Sequence, residues 1–150
     1  GTYLISNEEA PGAVRAAIEC GYRHIDTASG YRNEEAVGEG IMAGLASTGL
    51  SRQDIFVTTK LWPGNAAWGD PPKDHDATLA AFEASRAALG LDHVDLYLIH
   101  APSGGAERLN EWRALLELKR RGLAREVEFH CTREQSGILK IQWPLRRLRQ

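Results

Sequence analysis

The chain is 150 residues long, 43% hydrophobic and 25% charged, a balance that fits one domain with a buried core and excludes a compositionally disordered polymer. A formal net charge of -2 gives no support for binding nucleic acid or an anionic membrane surface. The two cysteines, Cys20 and Cys131, are too few and too far apart for a disulfide framework or a zinc site.

No apolar run approaches the ~20 residues of a membrane span and no signal-peptide pattern opens the chain, so the cytosol is the default compartment. Gly1 leads at once into a strand-like run, Thr2–Ser6, as if the chain began inside a domain. Glu8–Cys20 has helical spacing, with Val14 and Ile18 repeating at i, i+4; Cys20 is expected as a small buried apolar residue and Gly21 as the stop. Arg23–Thr27 is the second strand. Asn33 is expected to cap a helix with Glu34 and Glu35 in its first turn and Val37, Ile41 and Leu45 along one face.

Ile55–Lys60 is a third strand rich in β-branched residues. Trp62–Pro72 is a loop with three prolines, two glycines and two tryptophans. Asp76 is expected to cap a helix that runs to Leu89 and stops at Gly90. Val94–His100 is the fourth strand. A helix from about Ala106 to Arg121 is expected to turn Leu109, Trp112 and Leu116 inward, with Gly122 as its stop, and Ala124–Phe129 is a fifth, weaker strand. This order implies an α/β fold of parallel strands with right-handed crossovers. No G-x-G-x-x-G follows the first strand and there is no P-loop, which weighs against open nucleotide-binding sheets and toward an eight-stranded barrel.

Asp26, Lys60 and His100 stand at the C-terminal ends of three successive strands, and Tyr31 follows the first of these. Singly, each has an ordinary explanation: a turn or cap carboxylate, a solvated lysine, a structural histidine, a packing tyrosine. Neighbouring strands lie ~4.8 Å apart, however, so the four are expected to converge on one rim, where parallel barrels build active sites. A phenol with an ordinary pKa near ~10 is a poor proton donor at neutral pH, but a nearby ammonium stabilises its anion. Lys60 would supply that charge, Asp26 would hold Lys60, and His100 would polarise a carbonyl. Hydride would have to come from a cofactor.

Several stretches carry a family resemblance. Gly21–Ile41 (GYRHIDTASGYRNEEAVGEGI) resembles the aldo-keto reductase signature. Thr58–Trp62 (TTKLW), Val94–Pro102 (VDLYLIHAP) and Glu111–Arg125 (EWRALLELKRRGLAR) are similar to further segments of the same family, in the same order. The resemblance runs from Gly1 to about Arg125. It implies a (β/α)8 barrel whose catalytic tetrad is Asp26, Tyr31, Lys60 and His100. It also implies Thr2, Tyr3 and Asp26 beside the nicotinamide, Trp62 lining the substrate pocket, NADPH as cofactor with NADH as the alternative, no metal, and aldehydes or ketones as substrates.

Residues 126–150 depart from that pattern. Where the family has a Ser-Asn pair, His130 and Cys131 stand, and neither they nor a metal at this pair is assigned the role. Residues 141–150 carry Arg146, Arg147 and Arg149 and read as a divergent basic tail. The expected architecture is therefore a partial barrel of about five βα units, not closed within this chain, with open strand edges. Three readings compete: a carbonyl reductase impaired by truncation, an inactive barrel remnant acting through self-association or a partner chain, and a dimer of half-barrels that rebuilds a rim from two copies.

Overall fold

Apolar β-branched runs between glycine-terminated helices produce a parallel sheet. In a computed structural model, residues 1–129 are described, apart from the side chains of residues 103–105. The strands are β1 (His24–Asp26), β2 (Phe56–Leu61), β3 (Val94–Ile99) and β4 (Ala124–Phe129), side by side in chain order and all parallel. The helices are α1 (Ala10–Glu19), α2 (Glu34–Thr48), α3 (His75–Leu89) and α4 (Arg108–Arg120).

The strand pleat sorts the side chains into two faces. Ile25, Val57, Leu61, Tyr97 and Ile99 face the helices and are buried with Phe82, Leu89, Leu115 and Leu118. Register places Asp26, Thr58, Leu96 and Glu126 in one row of the other face, with Lys60, Leu98 and Glu128 in the next. No described helix covers that second face, and Phe56 on it is 41% exposed.

Helix α2 closes tightly on its neighbours because three of its inward positions are glycine. A Cβ at Gly38 would lie within 2.5 Å of the Leu89 carbonyl oxygen on α3, and one at Gly44 within 2.8 Å of Ile18 on α1. Val37, Ile41 and Leu45 fill the rest of the buried stripe as expected. Gly49 and Gly90 end α2 and α3 in the left-handed conformation.

Several expectations need correction. Thr2–Ser6 is a turn and not a strand: Thr2 N donates to Asp26 O at 2.9 Å, but Leu4 takes φ 64° and Ile5 N returns to Thr2 O at 3.2 Å. The described residues therefore hold four strands where five were expected. Cys20 is exposed, because two residues on a helix rotate it about 200° from inward-facing Ile18. Asn33 makes no side-chain cap, being used elsewhere, and α3 is capped by Asp74, which accepts from Ala77 N at 2.8 Å, while Asp76 lies in the first turn. On α4, Leu109 and Leu116 are exposed and Trp112 is half-buried; the inward stripe is Glu111, Ala114, Leu115 and Leu118. Trp112 stacks on Phe129 at 4.5 Å along the margin of that stripe. His130, Cys131 and the basic tail lie outside the described residues. No described helix is long and apolar enough to cross a membrane.

Candidate active site

Parallel register brings the ends of β1, β2 and β3 to one rim. Asp26 pairs with Thr58, two residues before Lys60, so the Lys60 side chain lies on the same face as the carboxylate. His100 directly follows β3, and its backbone N donates to Leu61 O at 2.9 Å.

The Lys60 ammonium is buried and makes three hydrogen bonds: to Asp26 Oδ1 at 2.8 Å, to Thr27 O at 2.9 Å and to Tyr31 Oη at 3.2 Å. All three N–H directions of the ammonium are therefore used. Asp26 compensates the buried charge while keeping 35% of its side chain exposed. The Tyr31 ring lies edge-on to His100 at 5.4 Å and 76°. Four residues separated by up to 74 positions thus form one contiguous group.

Tyr31 is positioned by the short 3-10 turn Ser29–Tyr31. Ser29 Oγ donates to Lys60 O at 3.0 Å and accepts from Trp62 N at 3.3 Å, which fastens the turn to the end of β2. Asn33 supports it from beneath. The Asn33 amide donates to Thr2 O at 2.9 Å and Ile5 O at 3.0 Å, while its oxygen accepts from Thr27 Oγ1 at 3.3 Å. The N-terminal turn and the Tyr31 loop are therefore tied to one buried side chain.

Tyr3, Tyr31, Trp62, Asp70, Lys73 and His100 are among the residues lining a cleft of about 900 Å³. Tyr3 packs against Tyr31 at 5.1 Å and remains 66% exposed. Thr2 is buried against the end of β1, and its hydroxyl has no hydrogen-bond partner. Trp62 stands 6.3 Å from His100, edge to face, and its indole N–H donates to Asp70 Oδ2 at 2.6 Å. Along one wall, burial raises the Glu34 carboxyl above its ordinary range, opposed by hydrogen bonds from Thr59 and Ser85. No group of three His, Cys, Asp or Glu side chains among the described residues is arranged to hold a metal ion.

The structure brings Asp26, Tyr31, Lys60, His100, Trp62 and Tyr3 together at one mouth. Sequence reasoning missed Thr27, Ser29, Asn33 and Asp70. Thr27 acts through its backbone carbonyl, and Asn33 looks in sequence like a helix cap. The Trp62–Asp70 bond crosses a loop whose path has no periodic signal.

Arranged this way, the group has a phenol supported by an ammonium, an imidazole beside it, and an exposed carboxylate, which suits proton donation to a developing alkoxide. The sequence matches the family model described as Aldo/keto reductase family across residues 2–130. A Bacillus subtilis protein named uncharacterized oxidoreductase YtbE is 48% identical over 119 residues, 79% of this chain and 40% of that protein. A solved aldo/keto reductase from Brucella melitensis superposes with a TM-score of 0.76 at 42% identity, covering 88% of this chain and 48% of that one. The Bombyx mori aldo-keto reductase AKR2E4 in complex with NADP gives 0.73 at 38% identity, covering 84% and 41%. The chain spans about two-fifths of the length of the curated relatives it matches.

Proposed function

The chain belongs to the aldo/keto reductase family, and from that premise we propose that its rim site reduces aldehydes or ketones to alcohols with NADPH. The observation that carries this reading is the Lys60 ammonium held between Asp26 Oδ1 and Tyr31 Oη.

Tyr31 is the proposed proton donor to the carbonyl oxygen. The anion left on its oxygen is stabilised by the adjacent Lys60 charge, and Asp26 keeps that charge in place. His100, packed against the Tyr31 ring, orients and polarises the carbonyl, and Trp62 walls the substrate side. A nicotinamide held at this rim would supply the hydride. Residues suited to hold its ring are present: exposed Tyr3, the part-exposed carboxylate of Asp26, and the unpartnered hydroxyl of Thr2. The NADP-bound Bombyx mori relative supports NADPH over NADH.

For these 150 residues alone we expect weak cofactor binding and slow turnover, because no described helix covers the sheet face on which Phe56 is 41% exposed. The experiment is a titration with NADPH followed by cofactor fluorescence, then an aldehyde assay. Saturable binding and reduction abolished by Tyr31→Phe are expected. Absence of binding up to millimolar NADPH, or full activity in Tyr31→Phe, overturns the reading.

The exposed sheet face and the edges of β1 and β4 favour a second reading, an inactive chain that self-associates or pairs with a partner chain. Sedimentation showing a concentration-dependent dimer, together with no cofactor binding, would place this reading first.

A further inference from the structure

Glu34 is an acid at a position where packing favours a hydrocarbon. It opens α2 three residues after Tyr31 and is 8% exposed. Among the described residues no lysine or arginine pairs with its carboxyl, and burial raises its pKa. Such a placement costs stability, because the carboxyl loses its hydration without gaining a cation. A charge for the start of the helix does not explain it, since exposed Glu35 supplies one in the same turn.

Glu34 is tied instead to the strand that carries Lys60. Thr59 Oγ1 donates to Glu34 Oε1 at 2.5 Å, and Ser85 on α3 provides a second hydrogen bond. Thr59 directly precedes Lys60 in β2, and the pleat turns its hydroxyl toward the helices while Lys60 points the other way. On the other flank of Tyr31, Ser29 Oγ donates to Lys60 O at 3.0 Å. The loop that carries the proposed proton donor is thus fastened to two consecutive residues of β2, once before Tyr31 and once after it. Asn33 fixes the same loop to Thr27 and the N-terminal turn. Between the two β2 fastenings Arg32 takes φ 57°, a left-handed conformation that a residue with a side chain keeps only where its surroundings enforce it. Cut free at Glu34, the chain can relax at Arg32, and Tyr31 Oη then loses its 3.2 Å bond from Lys60 Nζ.

We propose that Glu34 is a positioning residue of the reduction site, which through Thr59 sets the placement of the Tyr31 phenol against the Lys60 ammonium. This inference rests on the carbonyl-reductase reading above and adds a residue that acts through Tyr31.

The test measures benzaldehyde reduction with NADPH in the full chain and in Glu34→Ala, Glu34→Gln, Thr59→Val and the Glu34→Ala/Thr59→Val pair, each scaled to its folded fraction. Glu34→Ala is expected to lower kcat by about 10–100-fold, with Kd for NADPH and KM for benzaldehyde within about twofold of the parent. Glu34→Gln keeps an oxygen for Thr59 to donate to and is expected to recover most of that loss. Thr59→Val cuts the same bond from the strand side and carries the test if Glu34→Ala fails to fold. Its effect and that of Glu34→Ala should not add in the double variant. A kcat within about twofold of the parent in Glu34→Ala and Thr59→Val, no recovery in Glu34→Gln, or losses that multiply in the double variant overturns the proposal. If the unaltered chain reduces no benzaldehyde, the reductase reading fails, and the tether is judged by amide hydrogen exchange. The Tyr31 and Arg32 amides, which donate to Ala28 O and Ser29 O, are then expected to exchange about tenfold faster in Glu34→Ala while β3 keeps its rates. Equal acceleration throughout the chain, or none at the loop, overturns the tether.

Discussion

Arg52 Nη2 meets Asp95 Oδ2 at 2.7 Å at the end of the sheet opposite the cleft. Arg125 Nη1 takes the other carboxylate oxygen at 2.9 Å, and Val57 N donates to Oδ2 at 2.8 Å. One buried carboxylate thereby links the starts of β2, β3 and β4. Beside it, burial, then the charges of Arg52 and Arg125, hold the His93 imidazole below its ordinary pKa. Asp95→Asn leaves both guanidinium groups facing a neutral amide and is expected to destabilise the fold by about 3 kcal/mol. Urea unfolding measures this, and a loss below about 1 kcal/mol would show that the exposed side of Arg125 lets water replace the pair.

Lys60→Met removes the ammonium while preserving most of the side-chain volume. Carbonyl reduction is expected to fall by about 10²–10⁴-fold, with NADPH binding largely retained. Single-turnover absorbance at the nicotinamide band separates the two effects. Equal losses in binding and in the chemical step would mean that Lys60 acts mainly as a structural strut.

Two glycines predict opposite responses to the same substitution. At Gly12, in the first turn of α1, an added Cβ meets nothing within 4 Å, so Gly12→Ala should stabilise by about 0.5–1 kcal/mol through helix propensity. At Gly44 the Cβ would lie 2.8 Å from Ile18 Cδ1 and 2.9 Å from Ile18 Cβ, and Gly44→Ala should destabilise by about 1–3 kcal/mol. Melting temperatures moving in opposite directions support this packing of α1 on α2; a shared direction would refute it.

Glu111 is fully buried, and neither carboxylate oxygen has a hydrogen-bond partner. Burial raises its pKa above the ordinary 4.5, partly opposed by Arg108 and Lys73. The folded chain therefore holds a proton that the unfolded chain releases more readily. Its favourable contribution is complete below the unfolded pKa and is lost as pH rises through the folded one. Glu111→Gln should thus gain stability relative to the parent as pH rises, and Glu111→Leu should stabilise by about 1–3 kcal/mol near neutral pH. Denaturant midpoints of parent and Glu111→Gln taken near about pH 5 and pH 8 test the slope; a constant difference between the two proteins would contradict it.

The strand-end placement of Asp26, Lys60 and His100 was legible because β-branched runs mark strands and parallel order aligns their ends. The stop at Gly90 and the inward stripe Val37, Ile41, Leu45 were legible for similarly local reasons. Thr2–Ser6 misled because its composition is strand-like, whereas Asn33, far along the chain, satisfies the Thr2 and Ile5 carbonyls instead of a neighbouring strand. On α4 the leucines offer two stripes of equal spacing, and only contact with β4 and α3 selects the one containing Glu111. A buried glutamate is the residue that periodicity alone rejects. The Trp62–Trp68 stack depends on two left-handed glycines and an Asn65–Asp70 bridge, none of which carries a repeat.

Asp26, Tyr31, Lys60 and His100 come from β1, β2, β3 or the residues that directly follow them; β4 contributes none of the four. Division of labour follows from that. Chemistry occupies the stretch between residues 26 and 100, whereas Ala124–Phe129 serves as a shoulder for β3 and presents Glu126 and Glu128 on its other side. At exposed Glu128 a substitution can therefore retune solubility and assembly without replacing any of the four rim side chains.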